Sequence, residues 1–354
     1  MKITNKLYFI IGLLTTILLL TICAIFVYVS DPKLQYHPID TMLNHTMKKD
    51  MYYYFNAGIA KNEEYDTIIT GSSMTRPMHP SYIDDKLNVK SVKLSMAGAY
   101  GKDIKNITEL ALKNQPIKKA IISLDYFGYT VDKDEVHTGY PAYLYNNSIL
   151  DDSEYLLSME FILNGHQTIL DTKKGIKTTT LDDYQNYALE DKFNAEQVIK
   201  IANSEEVKTK QKEKEIDQFI NKTFYDNVQQ NLIELVENNP NVKFEFFIPP
   251  VSMASHYKEI NQGNEKGNFA MIEYIVSKLI QYPNVNIHFI QEDKTIITNY
   301  NNYTDTIHYN MEVANTIIDY ISNNKYKLSK EDYKQRIKEF EEYALTYDYN
   351  KDYN

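Results

Sequence analysis

The stretch Tyr65-Asp-Thr-Ile-Ile-Thr-Gly-Ser-Ser-Met-Thr-Arg76 decides how the rest of the sequence is interpreted. Residues 67–70 are β-branched and form a short run, which is typical of a strand buried on both faces of a parallel sheet. Gly71 permits a sharp turn, and Ser72 and Ser73 are short polar residues suited to the start of a helix. Backbone N–H groups at a helix start favour a developing negative charge. The stretch therefore predicts a strand that ends either in an ordinary turn or in a turn that holds a reactive serine.

Length and composition exclude several classes of protein. The 354 residues suffice for one large domain with an insertion, or for two domains. The 48 acidic residues outnumber the 38 basic ones, and no basic stripe is interleaved with aromatic residues, so we predict no nucleic-acid partner. The single cysteine, Cys23, lies in the first apolar run, which predicts neither a disulfide framework nor a thiolate metal site.

The N-terminal run 7–29 is apolar and carries no charge. It is long enough to cross a hydrocarbon core of about 30 Å at about 1.5 Å per residue. Lys2 and Lys6 precede it, whereas Asp31 and Lys33 follow, so the positive-inside rule places the N-terminus in the cytoplasm and the rest of the chain outside. A cleaved signal peptide is the alternative, but the run exceeds the usual length of about 7–15 residues and lacks a small-x-small cleavage site.

The rest of the chain predicts an α/β fold with a doubly wound, mostly parallel sheet of the flavodoxin-like kind. Residues 1–30 are interpreted as a cytoplasmic tip and transmembrane anchor, 31–62 as a juxtamembrane connector, and 63–325 as the α/β domain. A helical insertion at 126–239 interrupts the alternation, and its charge run 208–215 is predicted to be a solvated helix face. Residues 326–354 predict a charged C-terminal helix and tail. The predicted strands are 67–70, 89–94, 118–124, 242–248 and 285–290, and the predicted helices that alternate with them include 103–114, 268–281 and 308–323.

A second informative stretch, Tyr303-Thr-Asp-Thr-Ile-His-Tyr-Asn310, follows the last predicted strand. Asp305 and His308 are three residues apart, so one turn can hold the carboxylate beside one ring nitrogen while the other nitrogen faces a site. The same spacing also suits a capped helix start. Because a parallel sheet brings the ends of its strands to one edge, this pair is expected near Ser73.

These blocks resemble those of the SGNH, or GDSL-like, hydrolase superfamily. Gly71-Ser72-Ser73 looks like the first block with Ser72 in place of its aspartate, which makes Ser73 the nucleophile by position. Gly98, in Leu94-Ser-Met-Ala-Gly98, looks like the second-block glycine. The resemblance implies an oxyanion hole formed by the backbone N–H groups of Ser73 and Gly98.

The fifth block is matched by Asp305 and His308, the implied orienting acid and general base for Ser73. The third block departs from the family, because Ser123-Leu-Asp-Tyr126 stands where Gly-x-Asn-Asp is expected. One oxyanion donor of the family is therefore missing.

Within the superfamily, the chain resembles membrane-anchored bacterial members with one N-terminal helix and an outward-facing domain. These include D-alanine transfer proteins of teichoic acid modification and relatives associated with polysaccharide O-acylation. The resemblance implies a single-pass cell-membrane protein that acts as an esterase or O-acyltransferase. Its substrate would be a cell-envelope glycopolymer or an acyl carrier, with a membrane acyltransferase as partner and no cofactor.

Other residues are weaker candidates for substrate binding. Arg76 could hold a phosphate or carboxylate of the substrate, or form a structural ion pair. Asp125, Pro250 and Ser252 follow strands that end at the same edge and are predicted to line the pocket. No metal site is predicted, because none of the other histidines has a second metal-binding residue at the spacing that metal sites use. These histidines are His137, His166, His256 and His288.

Two other functions fit the same pattern. A non-catalytic envelope assembly protein would keep the fold and bind an acyl carrier or glycan in the same cleft. Alternatively, the Gly71-Ser72-Ser73 turn would bind a phosphate, with Arg76 as the contact and His308 incidental.

Overall fold

The computed structural model describes residues 5–349 and 351, so Lys2 and the end of the predicted C-terminal tail lie outside the described residues. The chain divides into two compact units. The anchor unit comprises Met1–Glu63 and Tyr140–Thr180, and the sheet unit comprises Glu64–Gly139 and Leu181–Asn354. The stretch 126–239, predicted to be one insertion, is thus shared between the two units.

Helices are numbered in chain order through both units. They are α1 (Asn5–Ser30), α2 (Tyr52–Asn62), α3 (Pro80–Leu87), α4 (Gly101–Asn114), α5 (Ser153–Leu156), α6 (Met159–Lys173), α7 (Ala195–Ala202), α8 (Glu205–Lys208), α9 (Lys222–Val228), α10 (Glu234–Glu237), α11 (Met253–Asn261), α12 (Glu265–Leu279), α13 (Lys294–Ile297), α14 (Met311–Ser322) and α15 (Tyr333–Thr346). A π-helical segment, Gln229–Ile233, joins α9 to α10.

The anchor unit contains α1, α2, α5 and α6. The 26 residues of α1 are long and apolar enough to cross a membrane, which confirms the prediction of one such helix near the N-terminus. Helix α6 packs closely on the end of α1, because a Cβ added at Gly165 would lie 2.2 Å from Ser30 Oγ. The absence of a side chain at Gly165 therefore lets the two helices approach.

The sheet unit is built on five parallel strands, β1 (Thr67–Gly71), β2 (Ser91–Ser95), β3 (Lys119–Ser123), β4 (Lys243–Ile248) and β5 (Val285–Phe289). Their order is β2-β1-β3-β4-β5, the flavodoxin-like order, which changes direction between β1 and β3. Every residue of β1 and β2 is buried, so both faces of these strands are covered. The predicted α/β class with a parallel sheet is confirmed.

Two predicted helical segments differ in the structure. Helix α8 ends at Lys208, and the charge run after it is not helical, so the predicted helix face there is wrong. The run offers no apolar stripe to pack, and its backbone instead donates from Gln211 and Lys214 to the carbonyls of Asn261 and Gly263.

The turn after β1 also does not open a long helix. Residues Ser73–Thr75 form a single 3₁₀ turn, and α3 begins only at Pro80. The reason is Pro77, which lacks the N–H that would bond to the Ser73 carbonyl in an α-helix starting at this point.

Candidate active site

The turn that presents Ser73 is fixed by a close approach to β3. Gly71 has φ +142°, and a Cβ there would lie 2.0 Å from Ser123 Oγ, so only glycine fits. Ser72 is extended, and its Oγ accepts a hydrogen bond from Met74 N. The chain thus leaves β1, turns within two residues and projects Ser73 from the carboxyl edge of the sheet.

Ser73, His308 and Asp305 form a continuous hydrogen-bonded chain. Ser73 Oγ lies 2.7 Å from His308 Nε2, and His308 Nδ1 lies 2.6 Å from Asp305 Oδ2. The other carboxylate oxygen, Oδ1, accepts the backbone N–H groups of Ile307 and His308 at 2.8 Å each. The three side chains predicted from the sequence to act together are therefore adjacent, although Ser73 and His308 are 235 residues apart.

The charge on Asp305 determines which nitrogen of the His308 ring is the donor and which is the acceptor. Burial would raise the pKa of the Asp305 carboxyl, but hydrogen bonds from the His308 ring and from the backbone N–H groups outweigh it, so the pKa is lowered. The ionised Asp305 carboxylate accepts from Nδ1–H of His308, which leaves Nε2 as the acceptor for the Ser73 hydroxyl. This is the arrangement of donor and acceptor nitrogens that a general base requires.

The loop that carries His308 is held by two tyrosines. Tyr303 and Tyr309 pair as an antiparallel bridge across the loop. The Tyr303 hydroxyl donates to the Pro250 carbonyl at 2.7 Å, and the Tyr309 hydroxyl donates to the Met74 carbonyl at 2.5 Å. The second bond ties the loop of the base directly to the turn of the serine.

Tyr187 supports the same loop and was not identified from the sequence. Its hydroxyl donates to the Tyr309 carbonyl at 2.9 Å, and its ring lies edge-on to the His308 ring at 5.3 Å. Arg76 belongs to this cluster, because its guanidinium lies 5.6 Å from the Tyr187 ring and its Nε donates to the Gln185 carbonyl. Nothing distinguishes Tyr187 among the 31 tyrosines of the sequence.

Gly98 lies in the turn after β2 with φ +67°. This turn is joined to the serine turn, because Met96 N donates to the Gly71 carbonyl at 3.0 Å. Within the part of the chain that the structure describes, the backbone N–H groups of Ser73 and Gly98 donate to no residue. Both donors are free for a ligand, and their role in an oxyanion hole stays a prediction.

Asp125, predicted to bind substrate, is buried behind the serine turn. Its Oδ2 accepts from Ser72 N at 3.1 Å and from Ser123 Oγ at 2.5 Å. Burial raises the pKa of the Asp125 carboxyl, although the hydrogen bonds from Ser123 and Ser72 favour the ionised form. As the acceptor of both bonds, the Asp125 side chain holds the serine turn in place.

A cavity of about 380 Å³ adjoins these loops. Met74 and Asp125 border it on the serine side, and Thr306 and Ile307 border it on the histidine side. Apolar side chains form most of the remaining wall, including Leu124, Phe127, Phe219, Ile248, Phe269 and Ile272. Ser73, Asp305 and His308 themselves do not line this cavity, whose largely apolar wall is suited to an apolar group.

Two further predicted pocket residues have other contacts. Pro249 and Val251 line the cavity, whereas Pro250 between them receives the Tyr303 hydroxyl. Ser252 Oγ donates to the Thr306 carbonyl at 2.7 Å. Pro250 and Ser252 thus position the loop that carries the base.

Comparisons with known proteins add nothing to this geometry. No protein-family model matches the sequence, and no curated protein matches it significantly. Among the described residues, no group of three or more His, Cys, Asp or Glu side chains is placed to hold a metal ion.

Proposed function

We propose that this protein is a membrane-anchored serine acyl hydrolase or acyltransferase that acts on esters of cell-envelope glycopolymer. The observation that supports this proposal is the chain of hydrogen bonds from Ser73 Oγ to His308 Nε2 at 2.7 Å and from His308 Nδ1 to Asp305 at 2.6 Å. A nucleophile, a base and an orienting acid at these separations are what covalent acyl transfer requires.

In the first step, His308 Nε2 takes the Ser73 proton while Ser73 Oγ attacks the ester carbonyl carbon. The carbonyl electrons move to the oxygen, which the backbone N–H groups of Ser73 and Gly98 would stabilise. The tetrahedral intermediate then loses the alcohol, which leaves with the proton from His308, and Ser73 retains the acyl group.

In the second step, an acceptor O–H loses its proton to His308 and attacks the acyl-serine. Water as acceptor gives a free acid, and a glycan or polyol hydroxyl gives a new ester. Ser73 recovers its proton when the second intermediate collapses.

The third donor found in the resembling family has no counterpart at Asp125. Because each oxyanion donor contributes about 2.7–4 kcal/mol to the transition state, a site with two donors would react about 10²–10³-fold more slowly than one with three.

The cavity beside the site favours an acyl substrate. Its wall next to Met74 and Ile307 is largely apolar, so an acyl group would enter it while the alcohol part remains outside. The helix α1 and the charges around it support an anchored chain with its sheet unit outside the cell, where envelope polymers and a membrane acyltransferase partner would be reached.

The proposal is tested with a fluorophosphonate probe on the full-length chain in detergent. Wild type and Ser277→Ala should be labelled equally, because the Ser277 hydroxyl bonds to the Tyr274 carbonyl on α12 and takes no part in the site. Ser73→Ala should not be labelled, and His308→Ala should be labelled about 10²–10⁴-fold more slowly.

Labelling of Ser73→Ala at the wild-type rate would refute the assignment of the nucleophile. A folded wild type that reacts with no probe would instead favour the non-catalytic binding protein. Release of ester-linked acyl groups from cell-envelope polymer by wild type, but not by Ser73→Ala, would establish the substrate class.

A further inference from the structure

The cavity of about 380 Å³ beside the candidate active site contains polar groups that the proposed reaction does not use. Its volume falls in the range of about 300–1,000 Å³ that is typical of ligand pockets. Met74 and Ile307, which adjoin Ser73 and His308 in the sequence, both border it. Under the proposed function this cavity is the place for the acyl group, so its polar groups would decide which acyl groups fit.

The hydroxyl of Tyr126 is an open hydrogen-bond donor in this cavity. Tyr126 lines the cavity, and within the described part of the chain its hydroxyl makes no hydrogen bond. Unlike the hydroxyl of Tyr129, which also has no partner, it is not sealed inside the protein. Burial raises the pKa of the Tyr126 hydroxyl well above its ordinary value, and the charges of Glu259, Glu265 and Asp125 raise it further. The hydroxyl therefore stays protonated and can donate to an occupant.

Glu259 offers an open acceptor in the same cavity. Its Oε2 accepts from the side-chain amides of Asn264 at 3.0 Å and Asn268 at 3.1 Å. Its Oε1 accepts from no residue that the structure describes. The charge of Glu259 acts on the Tyr126 hydroxyl, but the two groups are not hydrogen-bonded to each other. A donor and an acceptor thus line one cavity, close to each other but unconnected.

The neighbouring polar cluster is already paired. His256 Nδ1 lies 2.6 Å from Glu265 Oε1, and His256 Nε2 lies 3.3 Å from Gln291 Oε1. The Gln291 amide nitrogen in turn donates to the Pro249 carbonyl at 2.8 Å. An occupant would gain little from these groups, because their hydrogen bonds and charges are balanced within the cluster.

A group that binds between Tyr126 and Glu259 must accept one hydrogen bond and donate another. An alcohol hydroxyl does both, whereas a methyl group does neither. A carboxylate cannot donate and would be repelled by Glu259, and an ammonium group cannot accept and would lose its hydration in a largely apolar cavity. Lys258 also borders the cavity, but it is not among the charges that shift the pKa of Tyr126, so the surroundings of that hydroxyl are acidic.

We propose that the cavity holds the acyl group of the substrate and that this acyl group carries a hydroxyl, which accepts from Tyr126 Oη and donates to Glu259 Oε1. The inference rests on the proposed function at Ser73 and narrows its substrates to esters of hydroxy acids. Tyr126 and Glu259 then select the acyl group and take no part in breaking the ester bond.

The test measures kcat/KM of the full-length chain in detergent for p-nitrophenyl esters that differ only at the far end of the acyl chain. Chains of about six to ten carbons, which a pocket of this size can hold, end in a hydroxyl, methyl, ammonium or carboxylate group. We expect wild type to prefer the hydroxy ester to the methyl ester by about ten-fold at the best length, because only the hydroxyl satisfies both open groups.

Tyr126→Phe removes only the donor and should lower the ratio of kcat/KM between the hydroxy and methyl esters about ten-fold. Tyr225→Phe is the matched control and should leave the ratio unchanged, because Tyr225 is 42% exposed on α9 and does not line the cavity. A ratio of two substrates on one variant cancels any general loss of activity, so a purely structural role of Tyr126 would not change it.

Wild type alone supplies a second measurement, which does not depend on a variant that folds. Equal kcat/KM for the hydroxy and methyl esters at every length, or a faster reaction of the ammonium or carboxylate ester, would overturn the proposal. A protein that the fluorophosphonate probe labels at Ser73 but that shows no preference refutes only the selection of hydroxy acids. A folded protein that the probe does not label refutes this proposal together with the proposed function.

Discussion

Replacing Asp125 tests how the reactive turn is held. In the structure, one oxygen of this buried carboxylate accepts hydrogen bonds from Ser72 N and Ser123 Oγ. Asp125→Ala leaves both donors without a partner, and each stranded donor costs about 1–3 kcal/mol. We expect the free energy of unfolding to fall by about 2–4 kcal/mol, because water from the adjoining cavity can satisfy part of this need.

Asp125→Asn separates hydrogen bonding from charge. The amide oxygen can accept the same two bonds, and the burial that raises the pKa of Asp125 no longer penalises a charge. This variant should unfold within about 1 kcal/mol of wild type.

The assay combines urea unfolding with the rate at which the fluorophosphonate probe labels Ser73. Because a displacement of about 1 Å can cost about 10²-fold in rate, Asp125→Ala should be labelled about 10- to 100-fold more slowly. Asp125→Asn should be labelled at least as fast as wild type, because its amide oxygen keeps both hydrogen bonds. If Asp125→Ala unfolds and reacts like wild type, Asp125 does not hold the turn. If Asp125→Asn is as impaired as Asp125→Ala, the negative charge matters and the hydrogen bonds do not.

Three further predictions concern other residues of the sheet unit. Gly71→Ala should lower the free energy of unfolding by more than about 2 kcal/mol, because an alanine there would combine φ +142° with a clash at Ser123. The control Gly139→Ala, with φ +87° and no atom within 4 Å, should lower it by about 1–2 kcal/mol. Equal urea midpoints for the two variants would contradict this prediction. Asp305→Asn should slow probe labelling by about 10²–10⁴-fold, because His308 Nδ1–H loses its ionic partner. The free energy of unfolding should not fall comparably. An unchanged labelling rate would refute the role of Asp305. Burial of the Glu245 carboxyl raises its pKa, but hydrogen bonds from His288, Lys243 and Asn286 outweigh this effect and lower the pKa from 4.5 to about 2. The native state therefore gains on the order of 3 kcal/mol above about pH 4.5, and this is lost as the pH falls towards about 2. Urea unfolding of wild type and Glu245→Gln should converge over that range, and a constant difference would contradict the assignment.

The sequence predicts the parts of this protein that local pattern controls. The β-branched run at Thr67–Thr70 predicts a buried parallel strand, and so do the apolar runs before Asp125 and Pro249. These runs are short and do not alternate between apolar and polar residues, which is typical of strands buried on both faces. The apolar run 7–29 predicts α1 for a similarly local reason. Strand ends then predict that Ser73, Asp305 and His308 meet, since a parallel sheet collects them at one edge.

The parts that could not be predicted depend on contacts distant in sequence. Tyr187 supports the His308 loop from a segment with no distinctive pattern, and only the fold brings it there. Asp125 holds the serine turn through a hydrogen bond from Ser72 N, which is 53 residues away in the sequence. Likewise, Tyr140–Thr180 joins the N-terminal segment in the anchor unit because helices such as α6 pack on α1, which local composition does not reveal.

The separation of Ser73 from His308 also has a consequence for synthesis. At about 5–20 residues per second, a ribosome needs about 10–50 s to add the 235 residues that separate the serine from its base. During that interval the serine turn can form while His308, its proposed base, has not yet been added. Under the proposed function, a growing chain would therefore be unreactive towards esters until His308 has been added, and a chain truncated before His308 would remain so.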